Sequence, residues 1–170
     1  MAYISMIDYE TASPEARAAH DEHKKIGKIT NMKKTLLNSV PAFNALMEWY
    51  TLRDEAAKFL TPLEINFFCY AISSENDCLI CSTFFRKILR DENIDFNNFS
   101  FTDRQQLLIS YGRGLVKNPH EIDPDIFTRL KELFTQEQIV LLTAFGAIMI
   151  ATNLINSALK VELDGNLIGY

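Results

Sequence analysis

The 170-residue chain reads as one all-α domain spanning positions 1–170. Three observations predict this. Three capping boxes occur, Thr61 to Glu64, Thr102 to Gln105 and Thr135 to Gln138, and each precedes a helical pattern. Prolines 14, 41, 62 and 124 stand where helices should begin. Only six glycines are present, and no stretch alternates with the period of two that a half-buried strand requires.

Taken in order, Ser13 caps a first helix with Pro14 at its first position, and Gly27 closes it. Its many charges and thin alanine stripe place it at the periphery. Positions 31–38 form a short helix. Pro41 opens a stronger one, in which Phe43, Leu46, Met47 and Tyr50 share one face. Pro62 starts a helix that is apolar nearly all round, with Leu63, Ile65, Phe67, Phe68, Tyr70, Ala71 and Ile72, so it should be central. Ser73 to Asp77 is a polar break. Asp77 is a natural cap for the next helix, where Cys81, Phe84, Phe85 and Ile88 make a stripe. Positions 93–100 read as a polar, asparagine-rich loop. The second capping box opens a helix that Asn118 and Pro119 end. A short helix starts at Asp123 and Pro124. The third capping box opens a long apolar helix reaching about Lys160, and Asp164-Gly165 makes a turn in the tail. Thr143, Thr152, Asn153, Asn156 and Ser157 interrupt that apolar helix, which fits a buried element better than a membrane span. Its apolar surplus, and that of the helix at Pro62, fits a central core or a subunit interface equally well.

Composition excludes several function classes. The chain is 48% hydrophobic and 23% charged, ordinary for a globular domain. Its net charge of -5 argues against nucleic acid or an anionic membrane as a partner. The start, MAYISMIDYE, has no basic region followed by an apolar run, so no signal peptide is read. Three cysteines, 69, 78 and 81, are too few for a disulfide scaffold, and a cytoplasmic setting is expected.

The segment 61–90 holds the chemistry. Cys78 and Cys81 stand two residues apart at a helix start, where backbone N–H groups favour a thiolate by about 0.3–1 kcal/mol. Attack by one sulfur and closure by the other is geometrically available. The bland alternative stays open, because cysteine is often buried and Cys81 lies on an apolar stripe. Cys69 has no partner at motif spacing and reads as core. His20 and His23 could join the cysteines around zinc, but the spacing matches no finger, and an exposed charged helix explains them. His120 has no visible partner. Gly112 and Gly114 lack a preceding strand and a following GK[ST], so they read as helix glycines costing about 1 kcal/mol each. The capping box accounts for Glu64.

The stretch with Leu60, Thr61, Glu64, Asn76, Cys78 and Cys81 resembles the core of the carboxymuconolactone decarboxylase and alkylhydroperoxidase D (AhpD-like) superfamily, in its peroxidase-related branch. Asn38-Ser39-Val40-Pro41 resembles that group's upstream segment. Tyr111 to Pro119 and Ala151 to Asn156 resemble downstream ones. The resemblance implies an AhpD-like helical bundle that forms homo-oligomers, and hydroperoxide reduction through a dithiol–disulfide cycle. Cys81 would be the attacking thiolate and Cys78 the resolving thiol. A dithiol such as a lipoyl group would reset the disulfide, and no bound cofactor or metal is implied. The pattern departs at two positions. Active members carry a second glutamate two residues after the first and a histidine four residues after the second cysteine. Asn66 and Phe85 stand there instead. A scaffold or binding protein without catalysis is therefore the alternative. Decarboxylation of a lactone acid is a third reading, and the retained cysteine pair weighs against it.

Overall fold

The computed structural model describes residues 2–170, and among these it contains eight α-helices, two short 3-10 turns and no strand. The order is α1 (Pro14–Lys24), α2 (Asn31–Leu36), α3 (Val40–Ala56), α4 (Pro62–Glu75), α5 (Leu79–Asp91), α6 (Asp103–Lys117), α7 (Pro124–Leu133) and α8 (Gln136–Ala158).

The caps sit where the sequence placed them. Ser13 Oγ accepts the Ala16 N–H, and all three capping boxes form in both directions. The box at Thr61 does more than end a helix. Glu64 is buried and accepts from the Thr61 N–H at 2.8 Å, while its other oxygen accepts from Arg104 Nε at 2.7 Å. That ion pair ties the start of α4 to the start of α6.

Helix α4 is central, as its all-round apolarity predicts. Ile65 and every residue from Phe67 to Ser73 are buried. It packs on α5, α6 and α8. The Phe68 ring stacks between Tyr111 and Phe145, at 6.4 and 6.0 Å. Two glycines let the neighbours this close. A Cβ on Gly112 would lie 3.1 Å from Phe68 and Ile72, and one on Gly146 only 2.6 Å from Leu115. Gly112 is thus a contact that α4 requires, not a neutral cost to α6.

Helix α8 serves two cores. Leu142, Phe145 and Met149 join the α4 core, while Ile148, Ala151 and Ile155 pack on a second cluster of Leu36, Leu37, Phe43 and Leu46. Val140 and Leu154 remain 68% and 64% exposed, so the helix is not buried all round.

Four local expectations need correction. The 93–100 loop is an aromatic clasp. Phe96, Phe99 and Phe101 surround Phe67 at 5.8, 5.3 and 5.0 Å, and Phe96 meets Tyr70 at 4.6 Å. The asparagines between them hid this pattern. The α5 stripe is Cys81, Phe85 and Leu89, while Phe84 projects outward. Helix α1 ends before Gly27, at Lys24 with Lys25 as its C-cap, and the Gly27 backbone is not left-handed. Its N–H bonds the His23 carbonyl, and a Cβ there would lie 3.0 Å from Tyr50 Oη.

The fourth correction concerns His23, which is 4% exposed and not on an open surface. Its ring packs on Phe43 and Tyr50, and Nε2 has no protein partner. Lys33 is buried beside it, donating to the Lys28 carbonyl at 2.6 Å and to Tyr50 Oη at 2.8 Å. Burial, helped by the Lys33 charge, lowers the His23 pKa from 6.5 to about 4.

The sign of the pH effect follows. Below pH 6.5 the unfolded chain protonates this imidazole while the folded chain does not, until about pH 4. Its contribution is present in full above pH 6.5 and lost as pH falls through that window, by roughly 3 kcal/mol at most. Urea denaturation across pH 4–7 should show this slope, and His23→Phe should flatten it. An unchanged slope in the variant would mean that His23 is not the group responsible.

Candidate thiol site at the start of helix α5

The turn between α4 and α5 is built differently from the sequence expectation. Asp77 does not cap α5. It adopts a left-handed φ of 50°, which aspartate tolerates, and so reverses the chain. The N-cap is Cys78 itself, at φ -79° and ψ 99°, and its Sγ accepts the Cys81 N–H at 3.4 Å. The Cys78 N–H bonds back to the Ser73 carbonyl at 3.0 Å, locking the turn onto α4.

Cys78 and Cys81 therefore lie in one helical turn as free thiols, 1% and 6% exposed. The neighbouring Cys81 thiol is the main reason the Cys78 pKa falls from 9.0 to about 7. The Cys81 and Ile80 N–H groups and the Ser157 hydroxyl add to it, and burial opposes it. The Cys81 thiol is pushed up by the neighbouring Cys78 side chain, by burial and by the Cys78 charge. Glu75, three residues before Cys78, is occupied by Arg113 and Lys117 at 3.7 and 3.2 Å.

The last turns of α8 face this pair. Asn156 is 3% exposed, and its Nδ2 donates to Cys81 Sγ at 3.1 Å and to Met32 Sδ at 3.4 Å. One turn earlier, Asn153 is fully buried and its Oδ1 accepts from Ser73 Oγ at 3.4 Å. Sequence reasoning missed both as site residues. The available signal was two amides, three apart, inside an otherwise apolar helix. Cys69 is core, as expected. It is fully buried, its thiol is pushed far up by burial, and it lies close enough to raise Cys81 as well.

Other candidates stay apart. His20 pairs with Asp21 at 2.9 Å, and His23 sits against Phe43 and Tyr50. Among the described residues no three metal-ligating side chains cluster, so the zinc set of two histidines and two cysteines is not assembled. Phe85 is buried at 3% exposure on the Cys81 face and Asn66 is half-buried, so no histidine–glutamate relay stands at those positions.

No protein-family model and no curated protein matches the chain. Solved structures do. A peroxidase-related protein from Ralstonia eutropha JMP134, described as an alkylhydroperoxidase AhpD core, is 18% identical, with a TM-score of 0.72 over 98% of this chain and 94% of that one. A peroxidase-related protein from Silicibacter sp. TM1040 is 17% identical, with a TM-score of 0.72 over 97% and 94%. The debrominase Bmp8 is 16% identical, with a TM-score of 0.72 over 96% and 93%. A cysteine-to-alanine variant of that enzyme is known in complex with 2,3,4-tribromopyrrole. The chain has the AhpD-like all-α fold that its motifs resembled.

One thiol should ionise near pH 7 in the native protein, as followed by thiolate absorbance. Cys78→Ser should abolish that transition. Cys81→Ala should return it toward 9, because the neighbouring thiol is gone. A transition near 7 that survives in Cys78→Ser would assign the acidic sulfur elsewhere.

Proposed function

We propose that this protein is a thiol oxidoreductase that reduces hydroperoxides through a Cys78–Cys81 dithiol–disulfide cycle. The observation that carries the proposal is the placing of both sulfurs in one helical turn, with the Cys81 N–H on Cys78 Sγ at 3.4 Å and the Asn156 amide on Cys81 Sγ at 3.1 Å, where Cys78 is the more acidic thiol and Cys81 the protonated one. Cys78 then fills the place of the absent histidine. Its thiolate accepts the Cys81 proton as Cys81 Sγ attacks the terminal peroxide oxygen. The O–O bond breaks, Cys81 becomes a sulfenic acid, and the departing alkoxide takes the proton from Cys78 to leave as an alcohol. The Cys78 thiolate next attacks the sulfenic sulfur. The disulfide forms, and hydroxide leaves and is protonated to water. Two thiols have been oxidised and one O–O bond reduced. A dithiol of the lipoyl kind would restore both thiols by exchange. The peroxidase-related proteins on the same fold support this reading.

The rival is a helical scaffold or binding protein without catalysis. Phe85 in place of a histidine and the close cover over both sulfurs favour it. The debrominase neighbour adds a brominated pyrrole as a further substrate to assay. A reducing compartment such as the cytoplasm suits three free cysteines. We also propose a homo-oligomer, because the exposed Val140 and Leu154 of α8 and Leu79 and Phe84 of α5 are apolar surface that a second copy would cover.

Mild treatment with hydrogen peroxide should join Cys78 to Cys81 in one chain by mass spectrometry. Cys78→Ser, which lacks both the base and the resolving thiol, should oxidise Cys81 far more slowly than the native protein, and neither it nor Cys81→Ser should form the disulfide. Two free thiols in the treated native protein would favour the scaffold. Sedimentation at micromolar concentration should give a species larger than the 19.5 kDa monomer, and a clean monomer would remove the interface.

A further inference from the structure

Helix α8 carries, where it meets the cysteine turn, two buried amide ends that no group among the described residues satisfies. Asn153 Nδ2 is a donor without a partner, and Asn156 Oδ1 is an acceptor without one. Three positions apart, they share one face of α8. Both amides are held in register. The two N–H bonds of Asn156 Nδ2 are taken by Cys81 Sγ and Met32 Sδ, which fixes Oδ1 at the other end of the group. The Asn153 Oδ1 accepts from Ser73 Oγ at 3.4 Å, which leaves Nδ2 as the free end. Ser73 in turn holds the Cys78 N–H through its carbonyl, so both asparagines are anchored to the turn that carries the sulfurs. Leaving buried polar atoms unpaired is costly, and a bound group that donates at one end and accepts at the other removes that cost.

We infer that Asn153 and Asn156 form a subsite for the O–O–H group of a small hydroperoxide, a refinement that rests on the peroxidase reading above. The peroxide hydroxyl donates to Asn156 Oδ1. That puts the terminal oxygen beside Cys81 Sγ, because the other end of the same amide lies 3.1 Å from that sulfur. The inner oxygen accepts from Asn153 Nδ2. When Cys81 attacks and the O–O bond breaks, the negative charge develops on that inner oxygen, which the Asn153 amide stabilises. The subsite binds and polarises. The proton follows the route through Cys78 already described.

The cover over the site sets the substrate size. Asn153 is 0%, Asn156 3%, Cys78 1% and Cys81 6% exposed. Cover this close favours hydrogen peroxide and the shortest alkyl hydroperoxides over a bulky aryl or lipid hydroperoxide.

The test compares rates of thiol loss with hydrogen peroxide, tert-butyl hydroperoxide and cumene hydroperoxide. Iodoacetamide serves as a probe of thiol access that needs no peroxide. In the native protein the rates should fall in that order, with cumene hydroperoxide slower than hydrogen peroxide by more than about tenfold. This ranking needs no variant, so it stands even if a substitution unfolds the chain. Asn153→Leu, close in volume, should slow hydrogen peroxide by roughly tenfold or more and leave iodoacetamide within about twofold. Suppose the native protein reacts with iodoacetamide but with no hydroperoxide. Then the peroxidase reading falls and the subsite with it. Suppose instead that hydroperoxides react but cumene hydroperoxide is as fast as hydrogen peroxide, or Asn153→Leu slows both reagents in proportion. Then the peroxidase reading stands, the subsite is overturned, and the two amides hold a buried water only.

Discussion

A helix with almost no solvent face dictates this architecture. Because α4 buries nine of its fourteen residues, α5, α6 and α8 must surround it, and they must come close. The limit on approach is set at Phe68. Gly112 and Gly146 are the places where α6 and α8 give up a side chain so that this ring can sit between Tyr111 and Phe145. The buried Glu64–Arg104 pair fixes where α4 begins, and the turn after Asn76 fixes where it ends. The cysteines sit at that fixed end, so their position follows from the packing of a helix that contains neither of them.

With Asn66 and Phe85 at the two flanking positions, the groups that touch the thiols are uncharged. Cys78 Sγ accepts the Cys81 N–H, and Cys81 Sγ accepts from the Asn156 amide. These are neutral groups in a dry site, where hydrogen bonds weigh more than in water. Helix-dipole reasoning alone gives less than one pKa unit of help at such a site. The larger displacement here comes from the second sulfur.

Much of this was legible along the chain. Threonine or serine caps, prolines at first turns and the all-round apolar pattern of α4 are local signals, and they place the helices correctly. The errors share a cause. Asp77 and Cys78 are adjacent, and either could cap α5. The choice depends on the left-handed turn at Asp77, which exists to bring Cys78 back onto Ser73. Phe84 and Phe85 differ by one position on the helix wheel, and only the location of α4 decides which is inside. His23 reads as a surface histidine because its neighbours in sequence are charged, while its neighbours in space are Phe43 and Tyr50. Asn153 and Asn156 belong to a site made with residues some eighty positions away, a distance at which periodicity carries no information.

The cap on α5 is an atom that can change oxidation state. A side-chain cap is worth about 0.5–2 kcal/mol to its helix. A sulfur in a disulfide is a poorer acceptor than a thiolate, so the reduced protein gains more from this contact than the oxidised one. Thermodynamic linkage turns that difference into a reduction potential. With 30 mV equivalent to about 1.4 kcal/mol for a two-electron couple, a cap worth about 1 kcal/mol raises the potential by roughly 20 mV. The first turn of one helix and the oxidising strength of the cysteine pair are therefore a single quantity seen from two sides. Any substitution that loosens the start of α5 retunes the couple without touching a sulfur.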